Sequence, residues 1–137
     1  MYAGTGSIGL SIVDKAGQKV DLVELDPASA EIARINVVAS DVNAEVIEAS
    51  SEKSLDYISG DKPVIFDPPR AGLHDKLVAH TLEARPPRIA YLSCNPATHA
   101  RDLAKLQEGY EITYFEAFNF FPHTPHIEAL AILERKG

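Results

Sequence analysis

Ala3-Gly4-Thr5-Gly6-Ser7-Ile8-Gly9 stands at the start of the chain, and the strand-like run Val20 to Leu25 follows it, carrying Glu24 and then Asp26. Glycines at the first, third and sixth places of such a turn let backbone N–H groups approach a ligand without a Cβ in the way. An acid about 20 residues further on, at the end of the next strand, is where nucleotide-binding α/β folds accept ribose hydroxyls. Glycines plus acid fit a dinucleotide and S-adenosylmethionine equally well. A tight turn without function and a surface glutamate are the plainer alternatives.

Working outward, strand-like runs alternate with helix-like stretches, the pattern of a largely parallel sheet. Pro27 suits a first helical turn, and Ile32, Ile35, Val38 and Ala39 recur at helical spacing. Ala44 to Ile47 and Val64 to Phe66 read as short strands. Leu73 to Glu83 reads as a helix stopped by Pro86-Pro87, Ile89 to Leu92 as a strand, and Ala97 to Glu108 as a helix ended by Gly109. Ile112 to Phe118 and Ile127 to Leu133 read as a closing antiparallel pair. No repeat, linker or low-complexity tract interrupts them. The glycine turn ordinarily follows a strand. Only Met1, Tyr2 and Ala3 precede it, so the first strand is expected to be largely missing and the chain to be a fragment of a longer protein.

The 137 residues fit a single domain, 1–137. Folding at that length removes roughly 68% of the chain's surface from water, enough for a real core. No apolar run is long enough for a bilayer and no secretory leader is present. The single cysteine permits no internal disulfide and no four-cysteine metal or iron–sulfur site. A cytoplasmic location is expected. The net charge of −7 argues against a broad phosphate-binding surface. A partner nucleic acid would then need a local patch, for which Arg85, Arg88, Arg101 and Lys105 are the candidates, or a separate RNA-binding portion outside this chain.

Three segments carry candidate chemistry. Asp67-Pro68-Pro69-Arg70 follows one apolar run, Ser93-Cys94-Asn95-Pro96 another, and Phe121-Pro122-His123-Thr124-Pro125-His126-Ile127-Glu128 lies near the C-terminus. Ligands of open α/β sheets bind beyond the carboxyl ends of strands, where Asp67 and Cys94 fall. Cys94 also precedes a helix, whose N-terminal partial charge favours a thiolate. Two prolines make the segment after Asp67 a rigid turn; a helix-capping aspartate is the alternative. Glu128, among apolar neighbours, suits proton transfer. His123, His126 and Glu128 can be read with Cys94 as a metal site, but spacing does not make imidazoles converge, and no metal is assigned. A histidine that is structural or faces substrate is the simpler reading.

These residues make the sequence resemble the catalytic domain of the RNA 5-methyluridine (uracil-C5) methyltransferases. The resemblance rests on Tyr2 to Gly9, on Asp67-Pro68-Pro69-Arg70-Ala71-Gly72, on Ser93-Cys94-Asn95-Pro96-Ala97-Thr98 with Arg101-Asp102, and on Phe121 to Glu128. It implies an α/β class I S-adenosylmethionine-dependent methyltransferase with a Rossmann-like sheet, acting on a uridine of rRNA or tRNA. By matching positions, Cys94 is the nucleophile that adds to uracil C6, Glu128 the base that removes the C5 proton, and Asp67 a residue near both cofactor and uracil. Tyr2, Gly4, Gly6, Glu24 and Asp67 are the implied cofactor contacts; Asp67, Arg70 and His123 are the implied substrate contacts. The adenine-facing position falls somewhere in Ala49-Ser50-Ser51-Glu52.

Other functions fit less of the chain. A cytosine-5 RNA methyltransferase is expected to carry a cysteine where this chain has Pro68-Pro69. An amino-methyltransferase is expected to follow Asp-Pro-Pro with an aromatic, where Arg70 stands. A nicotinamide dehydrogenase gives Cys94 and Glu128 no role. An inactive binding protein has no need of all three reactive side chains, which argues against that reading for the parent protein but leaves it open for the isolated fragment. The chain alone is expected to bind cofactor and RNA poorly and to self-associate through strand edges.

Overall fold

A computed structural model of the chain describes residues 1–13, 18–120, 122–124 and 127–137. The chain forms two compact units, Met1–Tyr57 and Ile58–Gly137, each with its own sheet.

In the first unit, α1 (Ser7–Ile12) leads to β1 (Val20–Glu24), α2 (Pro27–Ser40) and β2 (Ala44–Glu48). Strands β1 and β2 pair in parallel, Val20 against Ala44 and Glu24 against Glu48. Helix α2 starts where the sequence places it: Asp26 accepts a hydrogen bond from Ser29 N at 2.8 Å, and Pro27 takes the first turn, where its missing N–H costs nothing. The pattern Ile32, Ile35, Val38, Ala39 marks α2 as a helix but misidentifies its buried face. Ala30 and Ala33 are fully buried, whereas Ile35 is 60% and Val38 85% exposed. Small side chains on the buried face let a helix pack closely against its neighbours. Helix α1 lies against β1 at Gly9, where a Cβ would stand 2.6 Å from Leu22 Cδ2. Helix α1, six residues with no buried side chain, is not announced by the residue pattern.

In the second unit, β3 (Val64–Phe66), α3 (Asp75–Ala84), β4 (Arg88–Ser93), α4 (Pro96–Leu106), β5 (Tyr110–Phe118) and β6 (Glu128–Arg135) follow in order. The sheet order is β3-β4-β6-β5. Strands β3 and β4 are parallel, β4–β6 and β6–β5 antiparallel, so this sheet is mixed. The closing antiparallel pair is as expected from the sequence, with a register shift between Ile112 and Tyr114. Helix α3 begins two residues later than its apolar pattern because Gly72 takes φ 79° and the His74 side chain accepts from Lys76 N, setting the start at Asp75. One face of the sheet is sealed: Phe66, Ile89, Tyr91, Ala131 and Leu133 are each fully buried. Each large apolar side chain among them stabilises the unit by about 1.5–3 kcal/mol. The alternate positions Ile65, Leu92, Leu130 and Ile132 are only half-buried. Among the described residues, no helix is long and apolar enough to cross a membrane.

Candidate active site

At the glycine turn of the first unit, Tyr2, Gly4 and Gly6 all take left-handed backbone angles, with φ of 58°, 54° and 82°. For a tyrosine that angle is strained, a feature that clusters at functional sites. Glu24 holds the turn. One carboxylate oxygen accepts from Gly4 N at 2.7 Å and the other from Asp26 N at 2.8 Å. Each oxygen keeps a second acceptor position, so Glu24 can still take ribose hydroxyls. Asp26 is committed elsewhere: the hydrogen bond from Ser29 pulls its carboxyl below the usual range, as befits a helix cap. A Cβ on Gly4 would meet nothing within 4 Å, so the backbone here opens onto free space beside an acidic acceptor. Those are the features an adenosine-bearing cofactor needs, and the residues present fit one.

In the second unit, strand register sorts the reactive side chains. Phe66 pairs with Tyr91, and Ser93 with Ala129. Both ladders stop there: Asp67 follows the last residue of β3, Cys94 follows the last residue of β4, and Glu128 opens β6, so all three lie at one end of the sheet. Glu128 alternates with the buried Ala129 along β6 and so lies on the half-buried face; Asp67 is exposed and Cys94 partly buried in the turns that follow their strands. Electrostatics agree. The Asp67 carboxyl is pushed above its usual value, first by the protein mass around it and second by the charge of Glu128. Although Asp67 retains contact with solvent, that desolvation favours its neutral form.

Helix α4 fixes the turns that carry these groups. Ser93 Oγ accepts from Asn95 N at 3.1 Å, closing the turn around Cys94. Asn95 caps α4 by accepting from Ala97 N at 3.1 Å. Its amide also donates to the Arg70 carbonyl at 3.0 Å, as does the Thr98 hydroxyl at 3.1 Å. Asp67 caps no helix, because α3 and α4 take their caps from His74 and Asn95. His123 lies in the β5–β6 connection with φ 67°. Phe121, Pro125 and His126 lie outside the described residues, and no group of three or more metal-ligating side chains occurs among the described ones.

Arg85, Arg88, Arg101 and Lys105, the candidates for a local basic patch, are each engaged within the second unit. Arg88 begins β4, the end opposite Cys94, and pairs with Glu134 at 2.6 Å. Arg85 donates to the Lys136 carbonyl, Lys105 pairs with Asp75, and Arg101 pairs with Asp102. A residue pattern shows the charges but not the carboxylates that neutralise them. Sequence reasoning also gave no role to Asp102. The detectable signal was spacing: His99, Asp102, Leu103 and Leu106 form the buried stripe of α4, and an aspartate inside such a stripe needs partners.

A family model of tRNA (Uracil-5-)-methyltransferases matches residues 54–136. The tRNA (uracil(54)-C(5))-methyltransferase of Pyrococcus abyssi is 41% identical over 133 residues, covering 97% of this chain and 32% of that protein. The enzyme of the same name from Pyrococcus horikoshii is 40% identical over 133 residues, covering 97% and 31%. The crystal structure of the Pyrococcus abyssi enzyme in complex with S-adenosyl-L-homocysteine superposes with a TM-score of 0.85, over 97% of this chain and 33% of that one. Precorrin-6y C5,15-methyltransferase from Geobacter metallireducens shares the fold at 15% identity and a TM-score of 0.75, over 98% and 77%. The chain thus spans about a third of the length of the curated relatives it matches. On the family match and these identities, the chain belongs to the tRNA (uracil-5-)-methyltransferase family.

Proposed function

We propose that the protein transfers a methyl group from S-adenosylmethionine to C5 of a uridine in RNA, with tRNA as the substrate class its relatives' names indicate. What supports this reading is that Asp67, Cys94 and Glu128 stand at one end of the sheet in a chain of this family. When bound, S-adenosylmethionine supplies the methyl group. In this reading Glu24, Gly4, Gly6 and Tyr2 hold it.

Uracil C5 is a poor nucleophile until electron density is pushed onto it. Cys94 does this by adding Sγ to C6, which breaks the C5=C6 double bond and leaves C5 electron-rich. After C5 has taken the methyl group, Glu128 removes the remaining C5 proton. The C5=C6 bond re-forms and Sγ leaves as thiolate. Asp67 contacts the uracil edge and fixes the ring beside the cofactor. The Arg70 and His123 side chains contact the RNA around the target, which must be unstacked to admit attack on its face.

Incubating the intact protein with methyl-labelled S-adenosylmethionine and tRNA tritiated at uracil C5 tests the reading. One tritium released per methyl transferred, with 5-methyluridine as the product nucleoside, is the expected result. Methylcytidine as product, or methylation without tritium release, overturns it.

A further inference from the structure

Asp102 is fully buried, yet it is a carboxylate. An isolated charge there would cost several kcal/mol, and an apolar residue of similar size would be the simpler core. Its two oxygens instead gather donors from three segments. Tyr91 OH of β4 and Leu73 N, at the end of the segment that begins with Asp67, each donate to Oδ2 at 2.8 Å. Arg101 donates to Oδ1 at 2.8 Å, and the same guanidinium reaches the Ala71 carbonyl at 3.0 Å. Gly72 leaves the room this needs: a Cβ there would lie 2.5 Å from Asp102 Oδ2 and 2.7 Å from Arg101 Nη2. The segment 67–73 is therefore tied at its far end to Asp102 and at its middle to Asn95 and Thr98, all borne on the helix that follows Cys94.

We infer that Asp102, acting with Arg101, is a positioning residue: it fixes the segment carrying Asp67 against the helix carrying Cys94, and so sets the separation of the two reacting groups. The inference rests on the roles proposed above for Asp67 and Cys94. A planar guanidinium suits the task because it bridges a carboxylate and a carbonyl at once, which a lysine point charge does not. The cost of a buried charge is then offset by geometry at the site rather than by stability.

The test compares Asp102→Asn with Leu106→Ala, a cavity on the same buried stripe away from the clamp, in the intact protein. Both are assayed well below their melting temperatures, so that every variant is folded. A displaced reacting group costs up to about 100-fold in rate. Asp102→Asn is expected to lower kcat for methyl transfer about 10–100-fold, with the KM for S-adenosylmethionine within about twofold of the parent. Leu106→Ala is expected to lose comparable thermal stability but keep kcat within about twofold, because its damage does not reach the reacting groups. Tyr91→Phe, which keeps the Leu73 and Arg101 bonds, is expected to fall between them. Equal kcat losses in Asp102→Asn and Leu106→Ala overturn the inference. If Asp102→Asn does not fold, Arg101→Lys replaces it with the same expected loss of kcat. If the parent protein transfers no methyl group, the proposed function fails on its own. The clamp is then decided by alkylation of Cys94 with iodoacetamide, several-fold faster in Asp102→Asn than in Leu106→Ala if it holds, and equal if it does not.

Discussion

Replacing Gly72 with alanine strikes a position where backbone angle and space are both committed. At φ 79° an alanine sits in the left-handed region, at a cost of about 1–2 kcal/mol. Its Cβ would stand 2.5 Å from Asp102 Oδ2, about 1 Å inside ordinary contact. A free side chain would swing aside. Asp102 cannot, because Tyr91 and Arg101 hold its two oxygens. The segment must move instead, and the charge-assisted bond from Leu73 N is lost, at about 1.5–3 kcal/mol. Together these give about 3–4 kcal/mol, or about 10–15 °C in melting temperature for a chain of this size. Differential scanning calorimetry of Gly72→Ala beside Gly109→Ala makes the comparison, since the second glycine has no positive φ and faces only the tip of Leu82 at 3.1 Å. A melting temperature for Gly72→Ala within about 2 °C of the parent would refute the reasoning, because so small a shift is under 1 kcal/mol.

Asp67→Asn is expected to abolish methyl transfer while raising stability at neutral pH. The folded protein holds the Asp67 carboxyl above its ordinary value of 3.8, so the native state is favoured below that pH and loses stability as pH rises through the folded value. The gain from Asp67→Asn, read as a urea midpoint, should therefore vanish in acid. Tyr110 is buried with its hydroxyl donating to the Pro86 carbonyl at 2.9 Å, and burial pushes its pKa up to about 12 from 10.0. The native state keeps that hydroxyl protonated after the unfolded chain has ionised, so stability is expected to fall from pH 10 upward, and Tyr110→Phe should flatten that decline. Glu24→Gln removes the charge that draws in the Gly4 and Asp26 amides and is expected to weaken S-adenosylmethionine binding by calorimetry, with little change in the rate at saturating cofactor.

Much of this chain can be read before its structure is seen, for identifiable reasons. Strands β3 and β4 announce themselves as apolar runs ended by Asp67 and by Ser93-Cys94, since a strand buried on one face and half-buried on the other has little room for polar residues. Caps at Asp26 and Asn95 are local chemistry and appear as such in the sequence. What escapes is whatever depends on a partner distant along the chain. The buried face of α2 is that of Ala30 and Ala33, not that of its largest side chains. Arg101 reads as a phosphate contact until Asp102 and the Ala71 carbonyl are seen to hold it. Glu24 and Asp26 look interchangeable in the sequence, yet one braces the glycine turn and the other caps a helix.

The central claim is that Cys94 bonds covalently to the RNA and that Glu128 is needed for its release. Incubating the Cys94→Ala and Glu128→Gln variants of the intact protein with tRNA and S-adenosylmethionine, then resolving them on a denaturing gel, tests both halves at once. Glu128→Gln is expected to accumulate a slow-migrating protein–RNA adduct carrying a methylated base. Cys94→Ala should form no adduct and transfer no methyl group. Normal turnover by Cys94→Ala, or free methylated RNA released at the parent rate by Glu128→Gln, would contradict the account.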